Sequence, residues 1–150
     1  MAIAVQQPMP KILAPGEGDS YQMLAHTLVR KITSSDTEGD WAMFEMLDTA
    51  GSQPPVHSHP WHETFYILEG EVEVQIGNQR TMATAGAVAH IPANAMHTFK
   101  ICSATARVLV IISPAAAEAF YRELGAEITT LPPDPAIFQK ICAKHGLQLQ

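Results

Sequence analysis

Cysteine and basic residues are both scarce in this chain of 150 residues. The two cysteines, Cys102 and Cys142, lie far apart and in no spacing that is typical of a metal site. A zinc finger is therefore disfavoured, and a reduced, cytoplasmic setting is expected. Lysine and arginine total 9 against 15 aspartates and glutamates, which gives a net charge of −6. This balance argues against nucleic acid or an anionic membrane as a partner.

Leader and membrane-spanning patterns are also missing. The start, MAIAVQQPMPKILAPGEG, is briefly apolar, but it has no early basic residue and soon meets two prolines, unlike a signal peptide. No apolar run approaches the roughly 20 residues of a membrane helix. The chain also shows no Ser/His/Asp arrangement, no phosphate-binding glycine loop and no basic patch.

Length and composition predict one globular domain with two appended segments. A chain of this size buries roughly 70% of its unfolded surface, which suffices for an ordinary core. Residues 1–20 hold three prolines and two glycines and are expected to form an N-terminal arm. Residues 21–113 carry strand signals and are expected to form the β-domain. Residues 114–150 carry helix signals and form the predicted C-terminal extension.

Short strand signals follow one another at near-regular spacing through the β-domain. Residues 71–76 alternate strictly between polar and apolar, and Gly77-Asn78 is a two-residue hairpin signal. The other predicted strands cover residues 21–32, 40–48, 64–68, 79–84, 87–91, 97–101 and 105–113. The last of these is apolar on both faces, which predicts cover on both sides. This rhythm indicates an all-β sandwich or barrel.

Two helix signals follow the last strand. Ser113 as an N-cap, with proline next and Gly125 as the terminator, predicts a helix over about residues 115–124. An Asp-Pro start and a later glycine predict a second helix over about residues 135–145. Both helices are expected to pack outside the β-domain.

Two histidines and a carboxylate stand close together between residues 51 and 70. His57 and His59 are two residues apart, so on a strand they share one face. Glu63 joins them if the chain turns at Pro60. Two neutral imidazoles and one carboxylate suit a divalent cation such as Fe(II), Mn(II), Ni(II) or Zn(II). Taken alone, such a histidine pair is more often a surface or hydrogen-bonded feature.

This stretch resembles the first motif of the cupin superfamily. That motif is a glycine, five residues, His-x-His, three or four residues, a glutamate, six residues and a glycine. The matching residues are Gly51, His57, His59, Glu63 and Gly70.

The second cupin motif is matched with two departures. Gly86, Pro92 and His97 stand at the motif's glycine, proline and histidine positions. Asn94 stands where glycine is usual, and asparagine tolerates the left-handed conformation that glycine would supply. Ile101 replaces an asparagine, which removes a polar group but no ligand.

The resemblance covers about residues 40–112. The proline-rich entry to the second helix and the His-Gly-Leu ending also look like small bacterial cupins that are quercetin-dioxygenase-like. The resemblance implies an all-β double-stranded β-helix, a jelly-roll or cupin barrel, with the two short C-terminal helices added to it. It also implies a divalent transition metal inside the barrel. The implied ligands are His57, His59, Glu63 and His97. Small cupins are often dimers, so a homodimer is expected.

The resemblance implies a metal-dependent enzyme, of the dioxygenase type first, that acts on a small organic molecule. Glu63 or His62 would accept a proton, although His62 can equally be a loop histidine that points away. Cupin isomerases and lyases share the motif. A non-catalytic metal-containing barrel that binds a small molecule or acts as a sensor is the other alternative, because fold does not determine function.

Apolar residues near the ligand positions are expected to line the barrel. They are either core or the wall of a pocket for an apolar ligand. These residues are Trp41, Phe44, Met46, Phe65, Ile67, Phe99 and Ile101. His90 is interpreted as a strand-packing or interior-wall residue, and His26 and His145 are interpreted as structural or exposed residues.

Overall fold

The fold is described from a computed structural model that covers residues 7–150. The strands of this region are β1 Ser20–Met23, β2 His26–Ile32, β3 Ala42–Thr49, β4 His57–Ser58, β5 His62–Glu69, β6 Val72–Ile76, β7 Gln79–Ala83, β8 Val88–Ile91, β9 His97–Ile101, β10 Thr105–Ser113 and β11 Gln148–Leu149. Its α-helices are α1 Glu118–Glu127 and α2 Pro135–Lys144. Short 3₁₀ helices span Ser34–Asp36 and Ala115–Ala117. Residues 1–6 of the predicted arm lie outside the described region.

The strands form two antiparallel sheets around one core. The six-stranded sheet has the order β1-β2-β3-β10-β5-β8, and the five-stranded sheet has the order β11-β4-β9-β6-β7. In β6, Val72 and Val74 are buried, and the predicted hairpin connects Ile76 to Gln79. The all-β jelly-roll prediction is therefore confirmed.

Strand β10 occupies the middle of the six-stranded sheet, between β3 and β5. One face points into the core, and its residues Ala106, Val108, Val110 and Ile112 are buried. The other face, which includes Leu109 and Ile111, is only partly buried. The sequence predicted burial of both faces of β10, but only the inner face is fully buried.

The predicted strand over residues 21–32 is two strands. β1 turns back on β2 as a tight hairpin, in which Met23 pairs with His26. Leu24 adopts a left-handed φ of 55° in this turn. Leu24 and Ala25 are not typical turn residues, and for that reason the sequence pattern did not reveal the break.

The start of the first helix differs from the prediction. Ser113 is the last residue of β10, and its hydroxyl donates to the carbonyl of Asp40 at 2.8 Å. It therefore does not cap a helix. A 3₁₀ turn over Ala115–Ala117 precedes α1.

The end of α1 also differs, because the helix continues through Gly125 to Glu127. A Cβ atom at position 125 would lie 2.3 Å from the carbonyl oxygen of Gln22. The glycine thus serves close packing of α1 against β1 rather than helix termination. In α2, by contrast, the side chain of Asp134 accepts a hydrogen bond from the N–H of Ala136 at 2.8 Å, so the predicted cap is confirmed.

The C-terminal extension completes the barrel rather than packing outside it. Phe120, Tyr121 and Leu124 on α1 are buried against the barrel interior. β11 pairs with β4, with Leu149 opposite His57. At ten residues each, neither described α-helix is long enough to cross a membrane.

Both cysteines are free thiols. Cys102 is exposed and Cys142 is buried.

The substitution Gly125→Ala tests the close approach of α1 to β1. Alanine normally favours a helix over glycine by about 1 kcal/mol. Here the added methyl group overlaps the Gln22 carbonyl, so we expect the free energy of unfolding to fall by about 1–3 kcal/mol in urea denaturation. Glu127→Ala, on the exposed end of the same helix, should change it by less than about 0.5 kcal/mol. A more stable Gly125→Ala variant would contradict the packing argument.

Candidate metal centre

The four predicted ligands come from both sheets and meet in the barrel interior. His57 on β4 pairs directly with His97 on β9 in the five-stranded sheet. His59 follows β4 immediately, and Glu63 lies on β5 in the six-stranded sheet. The cluster therefore forms only when the two sheets close on each other.

The polar atoms of the cluster lie within a few ångströms of one another. Ligand nitrogens of His57, His59 and His97 are all within 4.8 Å of each other. Glu63 Oε2 is 2.8 Å from His59 Nε2 and 3.5 Å from His97 Nε2. His59, His97 and Glu63 are buried, whereas His57 is half-buried.

Main-chain carbonyls orient all three imidazole rings. A carbonyl oxygen can only accept a hydrogen bond, so each ring must carry its proton on Nδ1. The pairs are His57 with the Pro55 carbonyl at 2.7 Å, His59 with that of Trp61 at 3.0 Å, and His97 with that of Ala95 at 2.8 Å. In the neutral rings, the Nε2 lone pairs are then free to bind a metal.

Several acceptor atoms of the cluster lack a hydrogen-bond donor, and a bound cation would compensate them. The buried His97 Nε2 has no hydrogen-bond partner among the described residues. His59 Nε2 faces the Glu63 carboxylate, and in the neutral ring both atoms are acceptors. A divalent cation between these atoms satisfies all of them, so the residues suit the metal that the sequence implies.

The electrostatic surroundings favour the protonation states that metal ligands need. Burial, followed by the neighbouring His97, lowers the pKa of His57 to about 4. Burial alone would raise the pKa of Glu63, but hydrogen-bond donation and positive charge at His59 and His97 outweigh it and lower that pKa to about 2. When both rings are neutral, a bound cation would supply that positive charge instead. At neutral pH His57 is therefore uncharged and Glu63 is ionised, as metal binding requires.

Asn94 adopts the conformation expected at a usual glycine position. Its φ is 67°, in the left-handed region. Its N–H donates to the His59 carbonyl at 2.7 Å, which connects the turn of the second motif to the first.

Two aromatic residues that sequence reasoning missed support the cluster. The ring of Trp61 stacks on that of His59, with centroids 4.2 Å apart and planes 4° from parallel. The hydroxyl of Tyr121 donates to Glu63 Oε1 at 3.4 Å and accepts from Trp61 Nε1 at 3.2 Å. Burial, then the charge of Glu63, raises the pKa of Tyr121 well above its usual value, so its proton is retained.

His62 is not brought to the cluster. Alternation along β5 turns Glu63 inward and His62 outward, and His62 is exposed. Its Nδ1 accepts from the Ala93 N–H at 3.3 Å, and its ring stacks with that of His90 at 5.9 Å. The geometry therefore corrects the expectation that His62 acts on a proton beside the metal.

A cavity of about 70 Å³ adjoins the cluster. This is space for roughly five waters at about 10–15 Å³ each. Four of the expected wall residues line it: Phe44, Met46, Phe65 and Phe99. Ile67 and Ile101 are core residues instead, and Trp41 is 37% exposed. The extension adds Phe120, Tyr121, Leu124, Phe138, Leu147 and Leu149 to the lining.

Two facing sheets with an interior histidine cluster define a β-barrel with a candidate metal centre. The cupin domain family matches residues 43–112, which include all four clustered residues. Residues 43–112 thus form a domain of the cupin superfamily.

Known proteins resemble the chain in sequence and in fold. Quercetin 2,3-dioxygenase of Bacillus subtilis (strain 168) is 29% identical over 120 residues, which cover 78% of this chain and 35% of the relative. The chain thus spans about a third of that relative's length.

Solved structures share the fold at low sequence identity. An RmlC-like cupin from Shewanella frigidimarina superposes with a TM-score of 0.63 at 16% identity, over 75% of this chain and 98% of that one. The polyketide cyclase RemF from Streptomyces resistomycificus gives 0.61 at 20% identity, over 70% and 80% of the two chains. These likenesses concern the fold alone.

Removal of a clustered histidine should release the metal. We expect the purified protein to carry about one divalent metal ion per chain, and His97→Ala to weaken metal binding by more than tenfold, because a buried ligand is lost. Metal content is measured by elemental analysis after equilibration with a competing chelator. His90→Ala, on the exposed outer face, is the control and should retain the metal. Equal retention by both variants would contradict the assignment.

Loss of the Tyr121 hydroxyl should weaken the cluster through Glu63. Tyr121→Phe preserves the ring but removes the donor to Glu63, so metal affinity should fall about 10-fold or more. Competition with a chelator measures that affinity. Tyr66→Phe removes a hydroxyl from a 41% exposed tyrosine on the outside and should leave the affinity unchanged. An unchanged affinity in Tyr121→Phe would show that the contact does not orient the carboxylate.

Proposed function

We propose that this cupin is a metal-dependent enzyme that acts on a small, largely apolar organic molecule in an oxygen-dependent reaction of the dioxygenase type. One observation carries the proposal: imidazole nitrogens and a carboxylate converge on an apolar cavity. The similarity to the quercetin 2,3-dioxygenase of Bacillus subtilis motivates the reaction type.

The proposed metal ligands are His57, His59, Glu63 and His97. With three neutral donors and one carboxylate, a divalent ion would have a local net charge near +1, which suits Fe, Mn, Ni or Zn. Such an ion supplies Lewis acidity and, when it is redox-active, reactivity toward dioxygen. The absence of a thiolate from the cluster weighs against a closed structural zinc site.

The surrounding residues orient the carboxylate and exclude water. Tyr121 holds Glu63 Oε1, so the carboxylate keeps one orientation toward the cavity. Glu63 is then the group placed to accept a proton from a bound substrate. Phe120 and Leu124 cover the interior from α1, and a dry site strengthens each polar contact within it.

The second candidate function is a metal-containing barrel that binds a small molecule without converting it. The cavity volume of about 70 Å³ lies below the roughly 300–1,000 Å³ of usual ligand pockets, so the cavity as it stands suits only a very small ligand for either candidate. A larger substrate would require the C-terminal residues Phe138, Leu147 and Leu149 to move aside.

The expected homodimer, the cytoplasmic location and the boundaries at residues 20 and 113 remain predictions. Light scattering of the purified protein tests the first of them.

Oxygen uptake separates the two candidates. The protein is loaded in turn with Fe(II), Mn(II), Ni(II) or Zn(II) and tested with flavonols, diketones and catechols. We expect substrate-dependent uptake with at least one redox-active metal and none with zinc, which has no redox chemistry. Glu63→Gln, which removes the proton acceptor, should lower the rate at least about 100-fold. Saturable binding without uptake on any metal would contradict the enzyme and support the binding barrel.

A further inference from the structure

A second buried polar pair lies beside the cavity and is not part of the metal cluster. His26 and Asp48 are each 5% exposed. The Nδ1 atom of His26 is 2.7 Å from Asp48 Oδ1 and 2.8 Å from Oδ2, and the Ser52 hydroxyl is 3.4 Å away. Burying such a pair costs considerable desolvation free energy, and apolar residues of similar size are often as stable. Its presence therefore suggests a role beyond stability.

His26 shares the cavity with the histidine cluster, and Asp48 supports it from behind. His26 is the first residue of β2, directly after the β1–β2 hairpin, and it lines the cavity. Its ring centroid is 5.8 Å from that of Phe99. Phe99 follows His97 by two residues on β9, so both side chains lie on the same face. Phe99 therefore lies beside His26 in the cavity that the metal cluster also lines.

Hydrogen bonding determines what His26 offers to a ligand. The Asp48 carboxylate accepts the Nδ1 proton, which leaves Nε2 as the acceptor in the neutral ring. Every hydrogen bond that the ring makes to residues 7–150 involves Nδ1. In the neutral ring, Nε2 is thus an acceptor without a hydrogen-bond partner among residues 7–150, on a wall that also includes Phe44, Met46 and Phe99.

We propose that His26, oriented by Asp48, binds the hydroxyl group of an otherwise apolar, aromatic ligand. The inference rests on the proposed function, because it places the ligand's other end at the metal cluster. The ligand class that matches is a phenol or enol, whose O–H donates to Nε2 while its ring contacts Phe99. His26 is then a specificity-determining residue of the cavity that Glu63 also lines.

Phenol and toluene are suitable probes, because they differ only in a hydroxyl and a methyl group of similar size. Ligand-observed NMR titrations give the ratio of the two dissociation constants for each variant. Phenol and toluene differ in hydration free energy, but this difference is the same for every variant and cancels when the ratios are compared. We expect His26→Phe to reduce the preference for phenol about tenfold. The double variant His26→Phe/Asp48→Leu leaves no buried carboxylate unpaired and should give the same loss. His90→Phe, on the outer face, should keep the wild-type ratio.

Elemental analysis of each variant keeps this inference separate from the proposed function. An unchanged ratio in the folded, metal-containing double variant would overturn the inference and leave the metal centre standing. Failure of wild-type protein to bind either probe would overturn it as well. A preference that depends on His26 would support the inference even in protein that binds no added divalent metal, and that failure to bind metal would by itself contradict the proposed metal-dependent function.

Discussion

The contact of Glu63 with His59 and His97 across the two sheets is the constraint on which the site depends. Each of these groups is buried, and a buried carboxylate is unfavourable unless positive charge or hydrogen bonds compensate it. Glu63 Oε2 reaches Nε2 of His59 and of His97 within 2.8 and 3.5 Å, and these distances are possible only when the two sheets pack in one relative position. Carbonyls next to the histidines then select the ring nitrogens that face Glu63. The local carbonyl hydrogen bonds and the packing of the two sheets together bring the three imidazoles and the carboxylate to one place.

The C-terminal extension adds a second layer to this constraint. α1 approaches β1 closely because Gly125 has no side chain, and it brings Tyr121 to the far side of Glu63. Tyr121 and Trp61 then connect the helix, the carboxylate and the His59 ring in one hydrogen-bonded and stacked group. The C-terminal extension, which lies outside the strand pattern, therefore contributes to the candidate site, because it covers the cavity and orients the proposed ligand Glu63.

The cavity is apolar apart from two polar sites. The metal cluster and His26, backed by Asp48, both line it, and Phe99 lies beside His26. Few polar groups at defined positions are what gives a small-molecule site its selectivity. A ligand with one polar group at each end of a flat apolar body satisfies both, whereas a wholly apolar ligand leaves buried acceptors unpaired.

The sequence by itself determined the strand periodicity, the capped second helix, the left-handed Asn94 and the motif spacing that matches the four clustered residues. These features depend on neighbours within a few residues or on strands with a regular alternation, so a linear pattern records them. Only the tertiary structure decided that Tyr121 and His26 reach the cavity and that His62 faces outward. Tyr121 is 58 residues from its partner Glu63, and His26 is 22 residues from Asp48. Contacts at such separations arise from how the sheets close and where the helix docks, and no local spacing encodes them.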